Sequence, residues 1–432
     1  MRDIVVMMAF LGLLPLCFSR PFTGMLIWTW FAVMNPHRET FGFALGFQFN
    51  AIIAAVVCLG FIMSGEKIKP IWNSGIALIL IFFGWTLYTT KMALVPAHSW
   101  DFLMHIPFKV YVYIVLLVIM LNREERVISL LWVLVFSLGY YGANIGILGI
   151  LHLGNNIART GNFGPYGTMI QDRNHMSLAL CMMIPLFHYL ASYVRVRWVS
   201  LCLWAVLWLS VISILVSYSR GGWICLMAVG GYYFWSVKNK FIYIGIGTFA
   251  GLVGTIIMAD QWLERMSLSN LEEDGSFNGR VESWKLSLEV AKNNPITGAG
   301  FRGTEHIDVF NRYIYATELT HPLAAHSVYF QVLGDHGFVG IALFMLMFAS
   351  GVFANYKTRK LTKDIPDMHW CRDLSNSLQV SLGVFFLGGA ALSLAYFDVF
   401  YIVLILSLAL LYLTQKKITS MNIISSKKAY LS

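Results

Sequence analysis

The sequence predicts an all-α polytopic membrane protein of about twelve transmembrane helices, with one large extracytoplasmic loop holding a short amphipathic helix. Two observations predict this class. Of the 432 residues, 58% are hydrophobic and only 12% charged, in apolar runs that mostly fit the ~20 residues of a helical span and lack the weak alternation of barrel strands. Lysines and arginines also gather in alternate loops, as positive-inside orientation requires. Residues 1–432 read as a single integral membrane domain, with 260–325 a large loop within it.

The elements follow in chain order. Met1 to Phe18 has one early Arg followed by Asp3 and no small-x-small cleavage pattern, so it reads as a retained first span. Arg20-Pro21 then splits the apolar run of residues 4–34 into two pieces, each shorter than ~17 residues, which leaves one kinked span and a short hairpin both open. With the tail Lys416, Lys417, Lys427 and Lys428 in the cytoplasm, alternation places five other basic loops inside. These hold Lys67 and Lys69, Arg123 and Arg126, Arg195 and Arg197, Lys238 and Lys240, and Lys357 to Arg372. The outer side receives Asn35 to Phe47, Lys91 to His105, His152 to His175, Ser217 to Gly222, and Asp260 to Ala325. Within the last of these, Gly279 to Asn294 reads as an amphipathic helix on the membrane surface. Val281, Trp284 and Leu288 form its apolar stripe and Asn293-Asn294-Pro295 its stop, before a turn at Thr297 to Gly300.

The kinds of basic residue differ between the sides. Inside there are 11 Lys and 7 Arg, with Arg2 in that set; outside there are 4 Lys and 8 Arg, Arg20 being unassigned. Arginine's planar fork pairs phosphate bidentately and stays charged at any relevant pH, so an outer arginine excess points to anion recognition. Nucleic acid is not the anion, because no basic stripe with interleaved aromatics occurs on a soluble domain.

Other chemistries find little support. Five of the six cysteines lie in or beside apolar runs, which suggests neither a disulfide framework nor a thiolate metal site. Glu272-Glu273-Asp274, with Glu305, Asp308 and Asp335, matches no EF-hand spacing. Ser327 lies in no Gly-x-Ser-x-Gly elbow, and no Walker loop or dinucleotide fingerprint occurs. No metal and no cofactor is expected.

Four outer segments hold the candidate residues. Arg220, in Ser219-Arg220-Gly221-Gly222, stands where two apolar runs meet; it is either a headgroup anchor or a phosphate ligand to which the glycines give access. Arg159 lies in Arg159-Thr160-Gly161-Asn162-Phe163. It is followed by Asp172-Arg173-Asn174-His175, where Asp172 can neutralise Arg173 and Asn174 can cap the next helix. Arg280 is placed at the opening of the outer helix, an end that favours anions over cations, so arginine there suits phosphate better than helix stability. His326, where the chain re-enters the membrane, has an imidazole able to take a hydroxyl proton near neutral pH, although His306, His321 and His336 lie close by in sequence.

At these residues the chain resembles the O-antigen ligase and polymerase superfamily. The likeness is carried by Arg159-Thr160-Gly161-Asn162-Phe163 with Asn174, by Ser219-Arg220-Gly221, by Gly279-Arg280 with Trp284, and by His326-Ser327 with Gly337-Phe338-Val339-Gly340. Met1-Arg2-Asp3 and Met34-Asn35-Pro36-His37-Arg38 resemble the exosortase-associated ligase branch. Asp335-His336 stands where relatives often carry a glutamate, which leaves the roles of both residues open.

The resemblance implies an inverting, metal-independent glycan transfer from undecaprenyl diphosphate on the periplasmic face of a bacterial inner membrane. His326 would be the general base, Arg220 and Arg280 would hold the diphosphate with help from Arg159, and Asn174, Trp284, Ser327 and Arg302 would support them. The expected acceptor is a sugar of lipid A–core, which would make the chain an O-antigen ligase. Polymerase and protein O-oligosaccharyltransferase activities use the same machinery, and product analysis separates them. A transporter or flippase for an anionic lipid is the non-enzyme alternative, but it calls for charges at membrane depth, whereas these arginines sit in loops and at span ends.

Overall fold

A computed structural model describes residues 2–66, 69–152, 163–236 and 275–431; its described residues form helices and no strand. Eight helical segments are long and apolar enough to cross a bilayer, nine if the bent pair Pro96–His105 and Pro107–Met120 counts as one span. The sequence leads one to expect about twelve spans; the described residues hold these eight or nine, and two shorter apolar helices, Pro21–Val33 and Phe49–Met63. The protein is a multi-pass helical membrane protein. Large apolar side chains such as Ile62, Leu151 and Phe353 stand exposed on the helix flanks, as a lipid solvent permits and water does not.

The open question at Arg20-Pro21 has a definite answer. Helices α1 (Arg2–Ser19) and α2 (Pro21–Val33) form a hairpin, Pro21 starting α2 at a position where its missing N–H costs nothing. Gly24 lies so close to the Cys17 backbone that a Cβ would stand 2.9 Å from the Cys17 Cα. At the other end, Asp3 accepts from the Gly42 and Ala44 N–H groups at 3.0 and 3.2 Å, and Arg2 reaches the Glu39 carbonyl. Arg2 therefore belongs with the loop Asn35 to Phe47, not with the inner basic set to which the sequence assigns it.

Helices α3 (Phe49–Met63), α4 (Ser74–Lys91), α5 (Pro96–His105), α6 (Pro107–Met120) and α7 (Glu124–Leu151) follow. Then come α8 (Arg173–Tyr193), α9 (Arg197–Val216) and α10 (Arg220–Ser236). After the outer-loop helices α11 (Gly275–Asn293) and α12 (Ile307–Arg312), the chain ends with α13 (Val328–Leu361), α14 (His369–Gly388) and α15 (Asp398–Leu431). Helix α15 is the centre of the bundle: Val399 to Leu410 are buried without a break, as a helix apolar on every face must be.

The loops expected on one side do meet at one end. A Cβ at Gly167 would lie 3.4 Å from the Arg38 guanidinium, the Leu94 N–H donates to Ala299, and the His326 N–H donates to Ser393. At the opposite end, Arg126 pairs with Glu66 at 2.7 Å and Lys417 with Glu124 at 3.0 Å.

The outer loop differs from expectation. Its helix α11 packs on α13 through a face other than the expected stripe: the buried residues are Ser283, Leu286, Ser287, Val290 and Ala291, while Val281, Trp284 and Leu288 are half-buried. Serine is small enough to bring two helices together: a Cβ at Gly334 of α13 would stand 3.3 Å from Ser287. Leu286 and Val290 join Ala299, Val309, Phe310 and Tyr313 in a small apolar core of the loop's own.

Candidate active site

Three of the four candidate segments are described, and two of them meet beside Asn174. Asn174 of α8, Ser219 and Gly221 at the start of α10, and Arg280 of α11 line one crevice of about 20 Å³, closed behind by Leu178, Cys225 and Leu392. Arg159 and the rest of 153–162 lie outside the described residues, so of the fourth segment only Phe163, which is buried, and Asn174 are described.

The α9–α10 turn is built by hydroxyl groups. Ser217 accepts from Ser177 at 2.9 Å and from the Ser219 N–H at 3.1 Å, and Ser219 caps α10 by accepting from the Gly222 N–H at 3.1 Å. Tyr218 turns the chain with φ +51, a conformation rarely held by residues other than glycine and costly unless the surroundings fix it. Arg220 is thus the first helical residue, at an end whose early N–H groups favour anions. The two glycines have separate uses. A Cβ on Gly222 would meet Ser177 at 2.6 Å, so Gly222 lets α10 approach α8, whereas Gly221 faces open space beside the crevice.

Two local expectations are corrected. The cap of α8 is Asp172, which accepts from the Asn174 and His175 N–H groups at 2.7 and 3.4 Å; the Asn174 side chain is not the cap and faces the crevice. Helix α11 begins at Gly275, so Arg280 sits in its second turn and not at its opening. Its place at the crevice comes from the face it occupies.

His326 is held on both sides. Its N–H donates to Ser393 Oγ at 2.8 Å, and the Trp284 indole N–H donates to the Ala325 carbonyl at 2.7 Å while stacking on Phe330 at 5.1 Å. With φ +46, His326 is another left-handed residue at this end. Burial first, then the charge of Arg280 and the ring of His175, hold its imidazole below the ordinary 6.5, with Glu305 and Asp172 opposing. His326 therefore lies within electrostatic reach of the crevice arginine and is neutral at neutral pH. Neither His175 nor Ser393 was a candidate from sequence; the adjacency of His175 to Asn174 was the one available signal.

The supporting residues divide. Trp284 links α11 to the backbone beside His326, and Ser327, buried, immediately precedes α13. Arg302 is not brought to the crevice: its guanidinium pairs with Glu305 and lies 5.3 Å over the Phe102 ring. Asp335 and His336 belong to a buried polar network. Asp335 accepts from the Arg302 N–H at 2.9 Å and from the Tyr396 hydroxyl at 3.0 Å, and that hydroxyl lies 2.8 Å from His336 Nε2. Thr89 meets the other ring nitrogen of His336 at 2.6 Å. The network locks the Thr297–Arg302 turn to α13 just before its break at Gly337, whose φ of +70 and closeness to the Pro295 and Ile296 carbonyls leave no room for a side chain.

Among the described residues, no group of three His, Cys, Asp or Glu side chains could hold a metal ion; Glu272-Glu273-Asp274 lies outside them. In chemical terms the crevice offers one arginine, Arg280, with the hydroxyl of Ser219 and the amide of Asn174, next to the start of α10 at Arg220, and His326 lies within electrostatic reach of Arg280.

Residues 1–195 match a family of unknown function, and no curated protein matches the chain. Residues 205–345, which contain Ser219, Arg220, Arg280, Trp284 and His326, match the family described as O-antigen ligase. That match covers about a third of the chain and supports the O-antigen ligase superfamily and a glycosyltransferase of the ligase or polymerase type.

Proposed function

We propose that this protein is an O-antigen ligase that transfers a glycan from undecaprenyl diphosphate to a sugar hydroxyl of lipid A–core on the periplasmic face of the inner membrane. His326 takes the proton of the acceptor hydroxyl, whose oxygen attacks the anomeric carbon as the bond to the diphosphate breaks. Undecaprenyl diphosphate leaves with the bonding electron pair. Arg220 and Arg280 hold the diphosphate, Arg159 assists, and preorganised cations aimed at the developing charge stabilise the transition state. One displacement inverts the anomeric centre and needs no covalent nucleophile.

The observation that carries this reading is the convergence of Asn174, Ser219, Gly221 and Arg280 on one crevice with His326 beside it. The test is a purified-component transfer assay with lipid-linked glycan and lipid A–core. His326→Ala should abolish transfer while the protein still folds; near-normal turnover would remove His326 as the base. Full activity in excess chelator is expected, and a loss restored by a divalent cation would reject the metal-independent mechanism. Product analysis with polymer or peptide acceptors separates the ligase from a polymerase and from a protein oligosaccharyltransferase.

A further inference from the structure

A larger cavity than the crevice lies elsewhere. It encloses about 260 Å³ between the end of α2, the α5–α6 bend, the Gly167–Ile170 loop and the start of α15, just below the ~300–1,000 Å³ of ordinary ligand sites. Its polar lining is unusual for a packing defect. Arg38 and Lys109 both face it, and among the described residues neither forms an ion pair.

Two further groups there lack hydrogen-bond partners among the described residues. His37 is 5% exposed and its Nδ1 has no hydrogen-bond partner, and the buried Oδ1 of Asn50 has none either. Buried polar atoms are normally satisfied, so each such atom asks for a donor or acceptor from a ligand. The His37 ring is held between Phe31 and Phe49, at 6.4 and 5.2 Å, so its edge is fixed. Burial, then the charge of Arg38, lowers its pKa to about 4, so it offers a neutral ring.

The remaining lining fits a sugar. Trp28 supplies an aromatic surface, and Asp398, which accepts from the Val399 N–H at 2.8 Å, supplies carboxylate oxygens for hydroxyl groups. Two cations against one carboxylate leave the cavity net positive. We propose that this cavity is a second substrate subsite that binds an anionic sugar, a hexose bearing a phosphate or a carboxylate, as part of the acceptor glycan.

Its place in the fold supports the acceptor assignment, which rests on the glycan-transfer reading above. Met169 lines the cavity, and its carbonyl accepts from His175 Nδ1 at 2.9 Å. His175 in turn acts electrostatically on His326. His175 also adjoins Asn174 of the crevice, so it links the cavity, the crevice and the proposed base.

The test uses the full chain in detergent with glucose 6-phosphate, glucose and inorganic phosphate as probes in equilibrium binding. Glucose 6-phosphate should bind most tightly, Arg38→Gln and Lys109→Gln should each weaken it by about tenfold, and Arg280→Gln should leave it unchanged. Equal binding of glucose would remove the anion site, and equal binding of phosphate would remove the sugar site. A loss in Arg280→Gln as large as in Arg38→Gln would place the ligand in the crevice, and no binding by the unmodified protein would overturn the proposal outright. In the transfer assay, Arg38→Gln should raise the acceptor KM and leave the donor KM alone; a raised donor KM instead would overturn the acceptor assignment. Full activity of His326→Ala would remove the transfer mechanism without touching the binding result, so the two failures are distinguishable.

Discussion

The Trp284 indole N–H donates to the Ala325 carbonyl, 41 residues away in sequence, at 2.7 Å. One turn of α11 separates Trp284 from Arg280, so the same helix that presents the crevice arginine also fixes the backbone one residue before the base. Trp284→Phe keeps an aromatic ring against Phe330 and deletes only the hydrogen bond. A bond of this kind contributes ~0.5–1.5 kcal/mol, and because it positions His326 the expected result is a fall in kcat of about tenfold with donor KM and melting temperature nearly unchanged. Steady-state kinetics in the transfer assay decide it: an unchanged kcat would show that the bond does not position the base.

The environment of His326 sets a pH limit. A general base works as the neutral imidazole, so activity is lost as pH falls through its pKa. Burial and the charge of Arg280 hold that pKa below 6.5 in the free enzyme, so the acid limb of kcat/KM should lie below pH 6.5. Arg280→Gln removes a positive charge that disfavours imidazolium, and its residual activity should show the limb moved upward. A wild-type limb above 6.5, or one that stays put in Arg280→Gln, would be incompatible with His326 as the titrating base.

Much of the fold was legible because lipid imposes a simple rule: backbone groups must be satisfied within a helix, so apolar runs of span length mark the helices. The details that escaped have physical causes. Pro21 fits both a kink and a helix start, so the hairpin shows only in tertiary contacts, those of Asp3 with Gly42 and Ala44 and of Gly24 with Cys17. Ser283 and Ser287 count as polar in a pattern yet are small enough to be the packing face of α11. The capping role could fall to Asp172 or Asn174 on composition alone, and the structure gives it to Asp172. The site residues came from loops whose chemistry is local, but Ser393 meets His326 across 67 residues and His37 lacks a partner only in three dimensions. Neither relationship has a sequence period.

The two glycines after Arg220 should fail differently when each gains a methyl group. Gly222→Ala drives a Cβ to 2.6 Å from Ser177, and overpacking of this kind costs ~1–3 kcal/mol, so the melting temperature should fall. Ser177→Gly in the same chain removes the opposing Cβ and should restore much of the loss. Gly221→Ala meets nothing within 4 Å, so its melting temperature should stay close to wild type. Its methyl group stands beside the crevice that Gly221 lines, where a displaced diphosphate loses alignment, and small misplacements at a reacting centre are costly. Donor KM should therefore rise, on the order of tenfold, in Gly221→Ala. Thermal melts and donor titrations of the two variants measure both effects. If Gly221→Ala bound donor normally, the open side of that glycine would not face the diphosphate, and Arg220 would be left without the backbone approach that its neighbour provides.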